Sequence, residues 1–339
     1  MDTHSSDMVA WTLDKRDIRA FVILAIFFSG LVAIAALFLS SRAAKVDRIN
    51  RLLDEGSCVR CDLDYVVLRD TDLSNADLTD TSLRNADFTE SDLGGANMSS
   101  AILSGAVLKD SNLALANLEN TVLSGAVLEG STLIEADLRG AYLGDAVLNQ
   151  AILDNAILDD AILIRVELQD AFLNQANLRR VDLGESNLNA SILRRAKLVR
   201  ANLANANLRE ANMHRTDLRR ADLRRANLSQ TTLSQSNLRD ANLGQANLSE
   251  ANLTKANLIA VFLREANLSN ADLQEANLTG AVLSQANLTG TNLTGATLTD
   301  VNLQRANLTE AIVETASLES TKLCETIMPD GGISNRDCS

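Results

Sequence analysis

The sequence predicts an all-β solenoid of stacked four-sided coils, preceded by one transmembrane α-helix. Two features carry the solenoid. From Leu63 to Leu323, 53 positions five residues apart hold Leu, with Phe88, Met98, Met213 and Val313 as the exceptions. Two residues before each of them stands Ala, Ser, Thr, Val or, once, Cys61. The third feature precedes the repeat: Ala20 to Ser40 is a charge-free apolar run of 21 residues, bounded by Arg19 and Arg42.

In chain order, residues 1–19 form a polar tail and residues 20–40 the apolar run. At about 1.5 Å per helical residue that run spans roughly 31 Å, the thickness of a bilayer's hydrocarbon core, so it reads as a membrane helix. A cleaved signal peptide needs a shorter apolar region and a small-residue cleavage site, which Ser41-Arg42-Ala43 supplies poorly. Residues 41–61 read as an amphipathic connector and N-terminal cap. Val46, Ile49, Leu52 and Leu53 fall at helical spacing and Gly56 is a stop signal. That connector suits either a membrane-surface helix or a lid over the next domain. Residues 62–323 are the repeat and residues 324–339 a C-terminal cap.

An α-helix is excluded for the repeat, because a five-residue step turns about 500°, a net 140°, and scatters the leucines around the circumference. In an extended segment, residues two apart share a side, so the small residue and the Leu both point inward. The residue between them and the two that follow point outward. Closed four-sided coils consume 20 residues and stack like positions at about 4.8 Å. The repeat then makes about 13 coils and a rod of roughly 63 Å, with Leu filling its axis.

Units such as Ala201-Asn202-Leu203-Ala204-Asn205 and Ala271-Asp272-Leu273-Gln274-Glu275 resemble the pentapeptide repeat family over about three quarters of the chain. The resemblance implies a right-handed quadrilateral β-helix with Leu or Phe at the central inward position. It implies a scaffold or binding module more than an enzyme. Cys58-Val59-Arg60-Cys61-Asp62-Leu63 and Met328-Pro329-Asp330-Gly331 with its flanking cysteines resemble terminal segments of such proteins from cyanobacteria and similar bacteria. A four-Cys zinc site would require the two ends of the rod to meet. A redox-active C-x-x-C suits a helix start beside a βαβ unit rather than a β-helix. Two structural disulfides, Cys58 with Cys61 and Cys324 with Cys338, suit an oxidising compartment. Reduced, partly buried cap thiols are the alternative.

Composition narrows the function. The chain is 46% hydrophobic but only 3% aromatic, carries a net charge of −13, and has two histidines, His4 and His214. No G-x-S-x-G elbow, P-loop or H-E-x-x-H occurs, so no catalytic residue, cofactor or metal ligand is assigned and no enzyme is expected. Charge is uneven: residues 62–178 sum to −15, residues 179–225 to +7 and residues 226–339 to −6. With 20 residues per coil, Arg179, Arg219 and Arg239 stack in one column and Arg180, Arg200 and Arg220 in the adjoining one. Arg195 and Arg215 stack on the next face. This basic patch suits an acidic partner or anionic headgroups, or else a solvated band that balances the acidic section. Nucleic acid is disfavoured, because no aromatic side chains interleave with the arginines.

A second departure is apolar. Tyr142, Val147, Ile152, Ile157 and Ile162 occupy the middle outward position, usually Asn or Asp, in five consecutive units. Ile102, Val122, Tyr142 and Ile162 stack in one column, and Val107, Val127 and Val147 in the neighbouring one. Such residues either stabilise local strands or mark a contact surface for a protein partner or for self-association. The functional expectation is a membrane-tethered, non-catalytic scaffold for protein–protein interaction. The alternative is an acidic DNA mimic that binds a topoisomerase-like target, as the resemblance allows and the acidic columns would suit. Weak cation binding by stacked Asp and Asn has no defined ligand set.

Topology across the membrane is nearly balanced. Lys15, Arg16 and Arg19 precede the apolar run while Arg42, Lys45, Arg48 and Arg51 follow it, which favours a cytoplasmic rod by one charge. The cysteine pairs at both caps favour an oxidising side, and the expectation adopted is an extracytoplasmic rod, in a periplasm or lumen.

Overall fold

A computed structural model describes residue 40 and residues 42–338, so the apolar run at 20–40 lies outside the described residues apart from its last position. Among the described residues no helix is long and apolar enough to cross a membrane. The chain divides into two units between residues 50 and 51. Residues 42–55 are helical and form α1. In the second unit Leu52 is buried, whereas Leu53 is exposed. Gly56 ends the helix in the left-handed conformation (φ +67°), and its N–H donates to the Leu52 carbonyl at 3.0 Å.

From Ser57 to Ile327 the chain makes parallel bridges between residues 20 apart, beginning with Ser57 and Asp77 and ending with Asn307 and Ile327. Each side of a coil is five residues long and contributes one bridging residue. The repeat Ala206-Asn207-Leu208-Arg209-Glu210 accounts for every backbone donor. Ala206 N–H closes a β-turn on the Leu203 carbonyl at 3.1 Å, and Asn207 N–H donates down to Ser186 at 2.9 Å. Leu208 and Glu210 N–H donate up to Asn227 and Ser229 at 2.7 and 3.0 Å. The fifth, Arg209 N–H, goes to the side-chain Oδ1 of Asn207 at 3.3 Å. This is an Asx turn, and it is why Asn or Asp recurs at the middle position.

The same amide serves the neighbouring coil. Asn207 Nδ2 donates to Asn187 Oδ1 at 3.0 Å, and Asn227, Asn247, Asn267 and Asn287 continue the ladder at 3.0 to 3.3 Å. Inside, the Leu positions and their small partners are almost wholly buried, as the alternation predicts. A Leu removed from water in this way contributes about 2 kcal/mol. Inward hydroxyls are satisfied locally: Ser131, Ser191 and Thr231 Oγ donate to the carbonyls of Leu128, Leu188 and Leu228 at 2.6 to 2.7 Å.

Each corner holds a left-handed residue. Every fifth residue from Arg60 to Glu325 has positive φ, Ser320 excepted, and most are not glycine. Asn205, at +60°, occupies the third position of the turn closed by Ala206, the signature of type II geometry. A non-glycine residue there costs about 1 kcal/mol, and the inter-coil hydrogen bond made by its own N–H compensates.

Both ends are closed. Arg51 Nη2 lies 3.0 Å from Cys61 Sγ, and Cys58 and Cys61 are joined by a disulfide. At the other end β1 (Thr326–Ile327) pairs antiparallel with β2 (Ile333–Ser334) around a turn in which Gly331 has φ +83°. A second disulfide joins Cys324 and Cys338. The Asp337 carboxylate and the Asn335 amide oxygen accept Leu323 and Glu325 N–H at 2.8 and 3.1 Å, occupying donors that an exposed edge would leave open. The ladder lapses once beneath this cap. Thr297 and Ser317 form no bridge, and Val313, Ala316 and Leu318 are half-buried rather than buried. Val313 is one methylene short of the Leu that fills other corners.

Two substitutions separate the inward from the corner positions. Leu203→Asp should destabilise the rod by about 3 kcal/mol or more, since it buries an unpaired carboxylate. Leu115 is 65% exposed at φ +61°. Leu115→Gly should therefore leave stability unchanged or raise it by up to about 1 kcal/mol. Chemical denaturation of both variants checks this; equal losses would overturn the assignment of positions.

Candidate interaction surfaces

Stacking at 20 residues determines which outward side chains meet. The five consecutive apolar residues Tyr142, Val147, Ile152, Ile157 and Ile162 do not form one patch. Four successive units occupy the four faces of a coil, so Ile152 lies on the face opposite Tyr142, and the belt is a ring. Two columns do form a contiguous surface on adjoining faces: Ile102, Val122, Tyr142 and Ile162, bridged in succession, and Val107, Val127 and Val147. Tyr142 and Ile162 are the most open of these, 41% and 38% exposed. The Tyr142 ring lies over Gly144, where an added Cβ would meet the phenol oxygen at 2.9 Å. A third column, Thr132, Ile152, Phe172 and Ile192, went unrecognised in the sequence although the same arithmetic yields it.

These columns forgo a stabilising bond. Where the middle residue is apolar, the first corner N–H loses its Asx acceptor, and Ser104, Ser124, Gly144 and Ile164 N–H have no protein acceptor among the described residues. Capping bonds of this kind are worth about 1 kcal/mol each.

The arginines come together around one face. Arg179, Arg180, Arg200, Arg219, Arg220 and Arg239 stack at one corner and Arg195 and Arg215 at the preceding one. Lys197 lies on the face between, bridged to Asn177 and Asp217. Arg194 and His214 share the corner of Arg195 and Arg215. Sequence reading passed over these three residues, although the same stacking finds them. Several of the arginines are already paired: Arg180 with Asp160 at 2.5 Å, Arg219 with Asp217 at 2.7 Å, and Arg220 and Arg239 with Asp240 at 3.7 Å. His214 Nδ1 lies 2.8 Å from Ser234 Oγ. Partial burial, then the charges of Arg215, Arg194 and Arg195, hold the imidazole below its ordinary pKa.

Beyond this face a groove of about 680 Å³ is lined by Ala204, Arg224, Arg225, Gly244, Phe262 and Arg264. Phe262 is half exposed at its edge. Among the described residues no group of His, Cys, Asp or Glu is placed to hold a metal ion.

The sequence matches the family profile of pentapeptide repeats in overlapping copies from residue 61 to residue 314. Among solved structures it is similar to HetL, a pentapeptide repeat protein involved in heterocyst differentiation regulation in the cyanobacterium Nostoc sp. strain PCC 7120. Identity is 30%, coverage 84% of this chain and 98% of HetL, and the TM-score 0.21. Rfr23 from the cyanobacterium Cyanothece 51142 is 31% identical over 38% of this chain and 99% of its own, with a TM-score of 0.24. A trypsin-treated form of QnrB1, a plasmid-mediated fluoroquinolone resistance protein, is 16% identical over 54% of this chain and 92% of its own, with a TM-score of 0.31. No curated protein matches the chain.

The depressed pKa of His214 has a sign in stability. Near its ordinary pKa of about 6.5 the unfolded chain takes up a proton that the folded chain resists, so stability falls as pH drops through that value. The full loss is present below the folded pKa. The melting midpoint should fall between pH 8 and pH 5.5, and His214→Gln should flatten that segment of the profile. An unchanged slope in the variant would show that His214 is not held low.

Proposed function

The chain belongs to the pentapeptide repeat family, and from that membership we propose that it is a non-catalytic scaffold whose rigid surface is read by protein partners. Family members fold as right-handed quadrilateral β-helices and are generally structural rather than catalytic. The observation that carries the proposal is the pair of apolar columns from Ile102 to Ile162 and from Val107 to Val147. Corner caps are given up there and side chains are left in solvent that Asn or Asp would occupy more stably. A partner that covers these columns recovers the burial.

Membrane attachment through residues 20–40 is part of the proposal, and its support is the length and flanking charges of that run. The rod of about 13 coils would then stand outside the cytoplasm, as the two disulfides suit. The acidic-mimic alternative draws on residues 62–178, at −15, but the basic face interrupts the acidic surface. An assay of topoisomerase supercoiling separates it from the scaffold.

The triple variant Val122→Ser, Tyr142→Ser and Ile162→Ser should keep its melting midpoint within a few degrees. It should lose the partners recovered by cross-linking with the full-length protein. Unchanged recovery would overturn the proposal. Carbonate-resistant membrane association that disappears when residues 20–40 are deleted checks the tether. A membrane-impermeant thiol reagent should label intact cells only after reduction.

A further inference from the structure

The basic face differs from the rest of the surface in how its charges are used. Elsewhere most arginines are paired on the same or the adjoining coil, as Arg139 with Asp137 at 2.6 Å, Arg165 with Asp145 at 2.7 Å and Arg224 with Asp222 at 2.5 Å, with Arg225, which donates to Gln245 at 2.9 Å, an exception. Around the face centred on Lys197, the cations Arg179, Arg194, Arg195, Lys197 and Arg200 have no ion pair among the described residues. Arg215 donates only to the uncharged Gln235, at 2.8 Å.

Stacking aggravates this. Arg195 lies one coil beneath Arg215, and Arg200 lies between Arg180 and Arg220, so like charges repeat at the coil spacing of about 4.8 Å. At such separations repulsion is appreciable even near the surface. His214 is held below its ordinary pKa by partial burial first, and then by the charges of Arg215, Arg194 and Arg195. Asp217, bridged to Lys197 on this face, gives its carboxylate to Arg219 instead, at 2.7 Å.

We propose that this face binds an acidic segment of a partner protein, an extended stretch rich in Asp and Glu, laid across Arg194, Arg195, Lys197, Arg200 and Arg215. The inference rests on the scaffold reading and specifies the partner's chemistry. A protein segment is favoured over a membrane surface because the cationic face is short and bracketed. Residues 62–178 and 226–339 carry −15 and −6, and a broad anionic surface would be repelled by both. A narrow peptide reaches the cations without meeting those acids.

The test is fluorescence anisotropy of a labelled octaglutamate peptide with the full chain in neutral detergent. Binding should saturate and should weaken sharply as salt rises from 0.05 to 0.2 M, about the range over which screening tightens. Arg194→Ser, Arg195→Ser and Arg200→Ser together should weaken it at least tenfold, with a melting midpoint unchanged or raised. The equally charged control Lys255→Ser, Arg305→Ser and Lys322→Ser should bind as the parent does. Peptide should also raise the titration midpoint of His214 seen by NMR. Absence of saturable binding, equal losses in both triple variants, or a His214 midpoint that does not move would overturn the proposal. So would phosphatidylserine vesicles that bind the face and displace the peptide. Failure of the scaffold reading has a different signature, unchanged partner recovery in the apolar-column variant while peptide binding persists.

Discussion

The structure depends on the disposal of five backbone N–H groups per repeat. A side five residues long leaves room for one bridging residue between two inward ones, and the corner must turn about 90° to begin the next side. Three N–H groups go to neighbouring coils and one closes the turn, as in Ala206 to Glu210. The remaining one, at Arg209, is taken by the Asn207 side chain. Asn or Asp at the middle position therefore serves backbone accounting as well as the surface. The left-handed second corner residue follows from the same turn, and its inter-coil hydrogen bond explains why Arg, Glu and Gln are tolerated where glycine would be unstrained.

From this follows a division of labour among the five positions. The inward pair belongs wholly to the core. The two corner residues belong almost wholly to the surface, since their backbone bonds do not depend on side-chain identity. The middle residue belongs to both, capping the corner and facing solvent. An acidic or basic choice at a corner costs the fold little beyond the repulsion it creates, whereas an apolar choice at the middle position removes a cap. The columns from Ile102 to Ile162 and from Val107 to Val147 thus give up fold stability for surface character, while the arginines at the corners beside Lys197 give up only electrostatic balance.

Much of this was legible in the sequence. The fixed spacing of Leu and of its small partner gives the inward faces, and multiplication by four gives the columns, so the sequence alone pairs Arg179 with Arg219 and Tyr142 with Ile162. The same period places successive units on successive faces. A run of apolar units looks like a patch in the chain and is a ring in space, which places Ile152 opposite Tyr142. The ladder of Asn187 to Asn287 was visible only as a preference, because its reason lies in an N–H two residues on and an amide 20 residues away. Arg194, Lys197 and His214 are hidden for a simpler reason: a mixed cluster of Arg, Lys and His has no repeating residue type to mark it, although stacking brings its members together.

Rigidity gives these local departures their meaning. Apart from the lapse at Thr297, each coil is bonded to the next on all four sides, so an outward side chain cannot drift to a more favourable neighbour by backbone adjustment, and charges or apolar groups placed in register stay in register. A flexible chain could relieve stacked arginines by moving them apart or by folding an acidic loop over them; this rod has no insertion from which such a loop could come. The remaining relief is a shift in the titration of His214, or counter-ions, or a ligand. Because the frame is fixed, the geometry offered to a ligand is also fixed, and binding costs little conformational entropy on this side of the interface. The preorganised arrangement that makes the cationic face unfavourable in isolation is therefore what would make it an effective receptor for an acidic segment.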